Sequence, residues 1–213
     1  MQYAFGLQIP ETLEEVCHPE RMALLVYDMQ VGVVNQIPDA AAITLRVTRV
    51  LAAARVRGMR VFFSRHISLP SELAGVTQLR RAMVWQHQAR AVDTLPAFPP
   101  QSPQAQLLPE LAPRPQEGVF DKITMSFFEG TPLGIALRDC HLTAFAIVGV
   151  ALEVGIEPTV RHGADLGYIP VVVADACGSG NLDAGKRSLE SLAFAGDAII
   201  TDTDTFLGAL GAP

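Results

Sequence analysis

Asp28 and Lys122 are the residues of this chain best placed to do chemistry, because each ends a strongly apolar run. MALLVYD closes on Asp28 and GVFDK on Lys122. RVFFSRH ends on Arg65 and His66, PVVVADA carries Asp175, and AFAIVGVALEVG runs into a glycine-bearing turn. A carboxylate at the end of a buried strand loses solvation and is suited to proton transfer. Read singly, Asp28 is as good a turn or helix cap, and Lys122 as good a surface lysine. Brought within a few ångströms of each other, they form an acid–base pair. The small residues Gly149, Ala151 and Gly155 then surround a strand-to-helix transition whose backbone N–H groups suit an anion or oxyanion. Close helix–strand packing demands small residues there equally.

Residues this far apart in sequence meet only if strands deliver them to one rim. In an open parallel sheet, ligands sit in the crevice beyond the carboxyl ends of the strands. Short Val/Ile/Phe runs alternate here with longer Ala/Leu/Arg segments, the signature of repeated βαβ units. Strands are expected at Met22–Asp28, Arg60–Ser64, Gly118–Asp121, Leu142–Val150, Ile169–Asp175 and Asp197–Thr201. The first is apolar on successive residues and so buried on both faces. Helices are expected from a cap at Asp39 through Val56 with a stop at Gly58, over Val76–Val92, from Thr131-Pro132, over Val154–Leu166 with Pro158 in its first turn, over Leu182–Phe194, and at the end of the chain. Between them, TLPAFPPQSPQAQLLPELAPRPQEG carries seven prolines and cannot be regular structure. A stretch of that length is a loop over the rim of a site or an interdomain linker, and the first reading is preferred. The chain is expected to be one domain, 1–213, with this proline-rich loop at about 94–117.

A length of 213 residues and a positive mean hydropathy supply a sizeable core. With 16 basic against 22 acidic residues, a net charge of −6 and no dense Lys/Arg run, neither nucleic acid nor an anionic membrane is the expected partner. Cys17, Cys140 and Cys177 are odd in number and form no CxxC pair, which suits reduced thiols in the cytoplasm. No apolar stretch approaches the roughly 20 residues that span a bilayer, and the N-terminus lacks the pattern of a secretory signal.

LLVYDMQ around Asp28, DKITMSFFEGTPL around Lys122, and GVALEVGIEPTVRHGADLGY, followed by VVVADACGSG, resemble the isochorismatase-like hydrolase superfamily in order and spacing. The resemblance implies a three-layer α/β/α fold with a mostly parallel sheet of about six strands, no cofactor, and a homo-oligomer (dimer or tetramer). Most of that superfamily uses an Asp–Lys–Cys triad in which the thiol attacks an amide or related carbonyl. Asp28 and Lys122 match the first two positions. The third falls on Gly155, which cannot supply a nucleophile. True isochorismatases are similar in lacking the cysteine, and they cleave a vinyl ether with the Asp as general acid. The resemblance also implies a non-proline cis peptide at Val150–Ala151. The expected activity is hydrolysis of a small polar metabolite through Asp28, with Lys122 orienting the developing charge. Vinyl-ether cleavage is its concrete form. Hydrolysis of an amide or imide by Asp-activated water, or ligand binding without catalysis, are the alternatives. For substrate contacts, His66 ends a strand, Trp85 and Gln86 form a cluster with His87, Phe127 follows the Lys122 motif, and the Val150–Ala151 turn aims backbone donors at the site. Arg65, His66, Arg80, Arg81, His87 and Arg90 are the candidate cations for an acidic substrate, with His66 preferred because it ends a strand. A metal site is not expected, because SRHISLPSE holds one histidine and no aspartate beside it.

Overall fold

The computed structural model describes residues 1–211. A short hairpin, β1 (Gln2–Ala4) and β2 (Leu7–Ile9), opens the chain ahead of α1 (Leu13–Val16). There follow β3 (Met22–Tyr27), α2 (Val31–Val34), α3 (Ala40–Val56), β4 (Arg60–His66) and α4 (Val76–Trp85). Beyond the proline-rich segment come β5 (Gly118–Lys122), α5 (Leu133–Asp139), β6 (Ala144–Val150), α6 (Glu157–Asp165), β7 (Ile169–Gly178), α7 (Leu182–Ala195), β8 (Ile199–Thr201) and α8 (Thr203–Ala209).

The main sheet has the order β5-β4-β3-β6-β7-β8 with every pair parallel, flanked by helices on both faces. The order reverses between β3 and β6. That is the place where a doubly wound sheet opens a crevice at its carboxyl edge. Alternation along β3 sends Met22, Leu24 and Val26 to one core, with Val47, Val50, Leu51 and Phe206. Leu25 and Tyr27 go to the other, with Phe127, Phe145, Val160 and Leu192. No helix among the described residues is long and apolar enough to cross a membrane.

Three expected helices differ, and the strand expected to end at Asp175 runs on to Gly178. The helix from Val76 stops at Trp85 rather than Val92, because the Gln86 side chain binds both backbone groups of Leu95 and His87 turns at φ 52°. The helix expected from Val154 opens instead as a wide π-turn over Leu152–Ile156, and the regular helix begins at Glu157 with Pro158 in its first turn. Pro132 precedes the first helical residue, and Thr131 Oγ accepts from Leu133 N–H. Asp39 holds the N-cap position of α3 without a side-chain capping bond. Asp175 anchors α8, accepting from the N–H and hydroxyl of Thr203.

The proline-rich segment is held by short 3-10 turns at Pro103–Ala105 and Pro109–Leu111. Among its ties to the rim is the side chain of Gln30, which is fully buried. Gln30 donates to the Ala105 carbonyl at 2.8 Å and the His66 carbonyl at 2.9 Å, and accepts from His66 N–H at 2.7 Å. One side chain thus fastens this segment, the end of β4 and the turn after β3 together.

Candidate active site

Parallel register places His66 opposite Lys122 at the ends of β4 and β5, next to the end of β3. Asp28 follows β3 at φ 44°, a left-handed conformation that Asp tolerates better than most residues. Lys122 Nζ lies 2.7 Å from Asp28 Oδ2, with the two side chains 0 % and 8 % exposed. The ammonium also donates to the Thr124 carbonyl at 3.2 Å, and its nitrogen stands 4.3 Å from the centre of the Tyr27 ring. The other Asp28 oxygen accepts from the Ser64 hydroxyl at 2.5 Å, while Ser64 Oγ accepts from Asp28 N–H at 3.0 Å. Both carboxylate oxygens therefore face hydrogen-bond donors.

Burial pulls Lys122 below the ordinary lysine range, and Asp28 opposes that pull. Burial, reinforced by Lys122, also lowers His66, so its imidazole is neutral near pH 7. Its Nδ1 is buried without a hydrogen-bond partner. None of the three thiols joins the pair. Cys17 sits in the core on the far face of the sheet with its thiol pushed up to about 12 by burial. Cys177 lies within β7, raised further for the same reason.

The Val150–Ala151 peptide is cis. Gly149 and Gly155 are both required by Tyr27. A Cβ on Gly149, at φ 124°, would stand 2.8 Å from the Tyr27 backbone nitrogen and closer to its carbonyl oxygen. A Cβ on Gly155 would lie 2.5 Å from Tyr27 Cε1 and closer still to Cζ and the hydroxyl. The backbone around residue 155 does not offer the expected anion nest throughout, because the N–H groups of Val154, Gly155 and Ile156 turn back onto the Ala151 carbonyl.

Two cavities adjoin the pair without being lined by it. His66, Trp85, Gln86, Phe98, Arg81 and Met125 are among the walls of one. Arg81, Thr124, Met125, Ser126 and His162 line the other. Thr124 and Met125 link these walls to the pair, since their carbonyls accept from Lys122 and from the Tyr27 hydroxyl. Trp85 is 53 % exposed and forms a rim, not core. Phe127, expected in the pocket wall, is fully buried core packed edge-on to Tyr27, because its N–H is bound by Thr159 of α6 and its ring is drawn into that side of the core. Among the candidate cations, Arg65 is engaged by Asp121 at 2.7 Å and Arg90 lies near Asp93; Arg80 lines neither cavity, whereas Arg81 lines both. Sequence reading missed Tyr27, Ser64 and Gln30. The available signal for Tyr27 was the bare position at Gly155, which implies that something else fills the space.

The chain belongs to the isochorismatase family: the isochorismatase domain matches residues 22–205, and the protein is an isochorismatase-family hydrolase. It is 27 % identical over 233 residues to the ureidoacrylate amidohydrolase RutB of Methylobacterium radiotolerans, covering 98 % of this chain and 87 % of that protein. The RutB of Cronobacter sakazakii is 29 % identical over 209 residues, with 89 % and 84 % covered. In fold the chain is similar to a cysteine hydrolase from Pseudomonas syringae pv. phaseolicola, with a TM-score of 0.78, 22 % identity, and 91 % and 93 % of the chains covered. It also resembles N-carbamoylsarcosine amidase from Thermoplasma acidophilum, with a TM-score of 0.71, 19 % identity, and 86 % and 97 % covered.

Proposed function

From membership of the isochorismatase family, we propose that this protein hydrolyses a small amide- or ureide-type metabolite through Asp28 and Lys122, without a cysteine nucleophile. The observation that carries the reading is the buried 2.7 Å contact between these two side chains at the switch point of the sheet. Asp28 takes a proton from a water molecule, whose oxygen attacks the acyl carbon. Lys122 stabilises the negative charge that develops on the acyl oxygen. The C–N bond breaks as the proton held by Asp28 passes to the departing nitrogen, giving an acid and an amine. His66, Trp85 and Gln86 shape the cavity that receives the substrate, with Arg81 as its cation.

Two relatives named as an amidohydrolase and an amidase support C–N cleavage. The lining of the cavity agrees, since one free arginine suits a neutral or singly charged substrate better than a dicarboxylate. Gly155 favours a second reading, vinyl-ether cleavage, in which Asp28 delivers a proton to the enol-ether carbon. A homo-oligomer is part of the proposal, because α7 leaves Leu182 and Phe194 exposed; light scattering of the purified protein measures it.

A panel of ureido acids, simple amides and enol ethers, followed by amine release and chromatography, separates these readings. Turnover of the C–N panel is expected, falling at least about 10²-fold in Asp28→Asn. Turnover confined to enol ethers would select the second reading, and turnover that survives Asp28→Asn overturns both.

A further inference from the structure

Tyr27 ends β3 on the face that meets α6, fully buried, with its ring pressed against the bare Cα of Gly155. Side chains do not pack at the separation that a Cβ on residue 155 would have from this ring. The ring and any side chain at 155 therefore exclude each other. The aromatic group takes the volume that a thiol on residue 155 would need.

The ring is held at its edge and at its hydroxyl. Phe127 meets it edge-on at 6.4 Å between centroids, and the Tyr27 hydroxyl donates to the Met125 carbonyl. Close by, Thr159 Oγ donates to the Gly155 carbonyl at 2.7 Å and accepts from Phe127 N–H at 3.0 Å. What remains open is one ring face, and the Lys122 ammonium lies 4.3 Å from its centre. An ammonium over the face of a desolvated aromatic ring is attracted by the ring quadrupole. Burial, and then the Asp28 charge, push the phenol well above its ordinary range, so the ring stays neutral and keeps that attraction.

We propose that Tyr27 is a positioning residue for Lys122: its ring face holds the ammonium against Asp28, and Gly155 is glycine so that the ring can lie there. The proposal rests on the reading of Asp28 and Lys122 as the reacting pair, and it identifies how a site with no side chain at 155 keeps its cation in place. The groups facing Lys122 are Asp28, the Thr124 carbonyl and the Tyr27 ring, with Ser64 behind Asp28 and His66 on the neighbouring strand.

The test uses the protein without substrate. Lys122 and Lys186 are the two lysines of the chain, and Lys186 is 76 % exposed, so a lysine side-chain NMR titration resolves the buried amine against an internal standard. Tyr27→Leu removes the ring and is expected to lower the Lys122 pKa by about one unit, whereas Tyr27→Phe keeps the ring and shifts it by less than about 0.3 unit. Gly155→Ala forces the ring away and is expected to shift Lys122 in the same direction as Leu. Equal titration in Leu and wild type, or a Phe shift as large as the Leu shift, overturns the proposal. If Tyr27→Leu does not fold, Gly155→Ala decides: a folded variant with Lys122 titrating as in wild type overturns it. The titration is independent of turnover, so an unreactive substrate panel refutes the hydrolytic mechanism and leaves this result intact.

Discussion

Separating Asp28 from Lys122 tests the site through stability, without any knowledge of the substrate. Asp28→Asn is the suitable perturbation, because Asn also tolerates the left-handed backbone at this position and can still meet Ser64. At 2.7 Å and an effective dielectric of about 20, the Coulomb attraction of the pair is about 6 kcal/mol, and desolvation of both groups offsets much of it. Removing one partner leaves an ammonium with no side-chain exposure, facing the Thr124 carbonyl and the Tyr27 ring, at a cost of about 3–5 kcal/mol. The cost depends on pH with a definite sign. Burial already holds Lys122 below the unfolded lysine value, and loss of Asp28 removes the group that opposes this. The unfolded chain then binds a proton that the folded one does not, from the depressed folded pKa up to about 10.4, so stability rises with pH across that window. Urea unfolding at pH 7 and pH 9.5 reads the effect: Asp28→Asn is expected to lose less at the higher pH. Lys122→Met is expected to cost a similar amount, and the double variant Asp28→Asn/Lys122→Met to recover most of the loss. Single-variant costs that simply add in the double variant, or a loss below about 1 kcal/mol at pH 7, would refute the buried pair as described.

Two further outcomes follow from the geometry. His66 is lowered by burial and by Lys122, so the folded state loses stability as pH falls from about 6.5 through its folded value. His66→Gln is expected to flatten the pH 5–6.5 portion of the unfolding profile, read by thermal melts across that range. The thiols of Cys17 and Cys177 are raised by burial and stand away from the pair, so the triple Cys→Ser variant of a working enzyme is expected to keep turnover within about threefold while losing about 1–2 kcal/mol of stability. A turnover loss of tenfold or more in that variant, with the fold intact, would place a thiol in the reaction.

The parallel strands and Asp28, Lys122 and His66 at their ends were legible because buried strands leave an uninterrupted apolar record and the polar residue that stops each run is conspicuous. The ends of α4 and α6 were not, because they depend on contacts remote in sequence or on turn geometry: Gln86 reaching Leu95 halts one, and the π-turn at Leu152–Ile156 delays the other. Phe127 illustrates the same limit for the site. Its neighbours in sequence place it near Lys122, but only the packing of α6 and the Tyr27 ring turns it into core.

Periodicity and composition alone determined that Asp28 and Lys122 would reach one edge of a parallel sheet, since strand direction and burial are local consequences of the apolar pattern. Only the tertiary structure decided what surrounds them. Tyr27 reads as one more strand residue until β3 is laid beside β6 and its ring lands where a side chain on Gly155 would be. Excluded volume acts between atoms that meet in space, here from residues more than a hundred positions apart, and no local pattern records it.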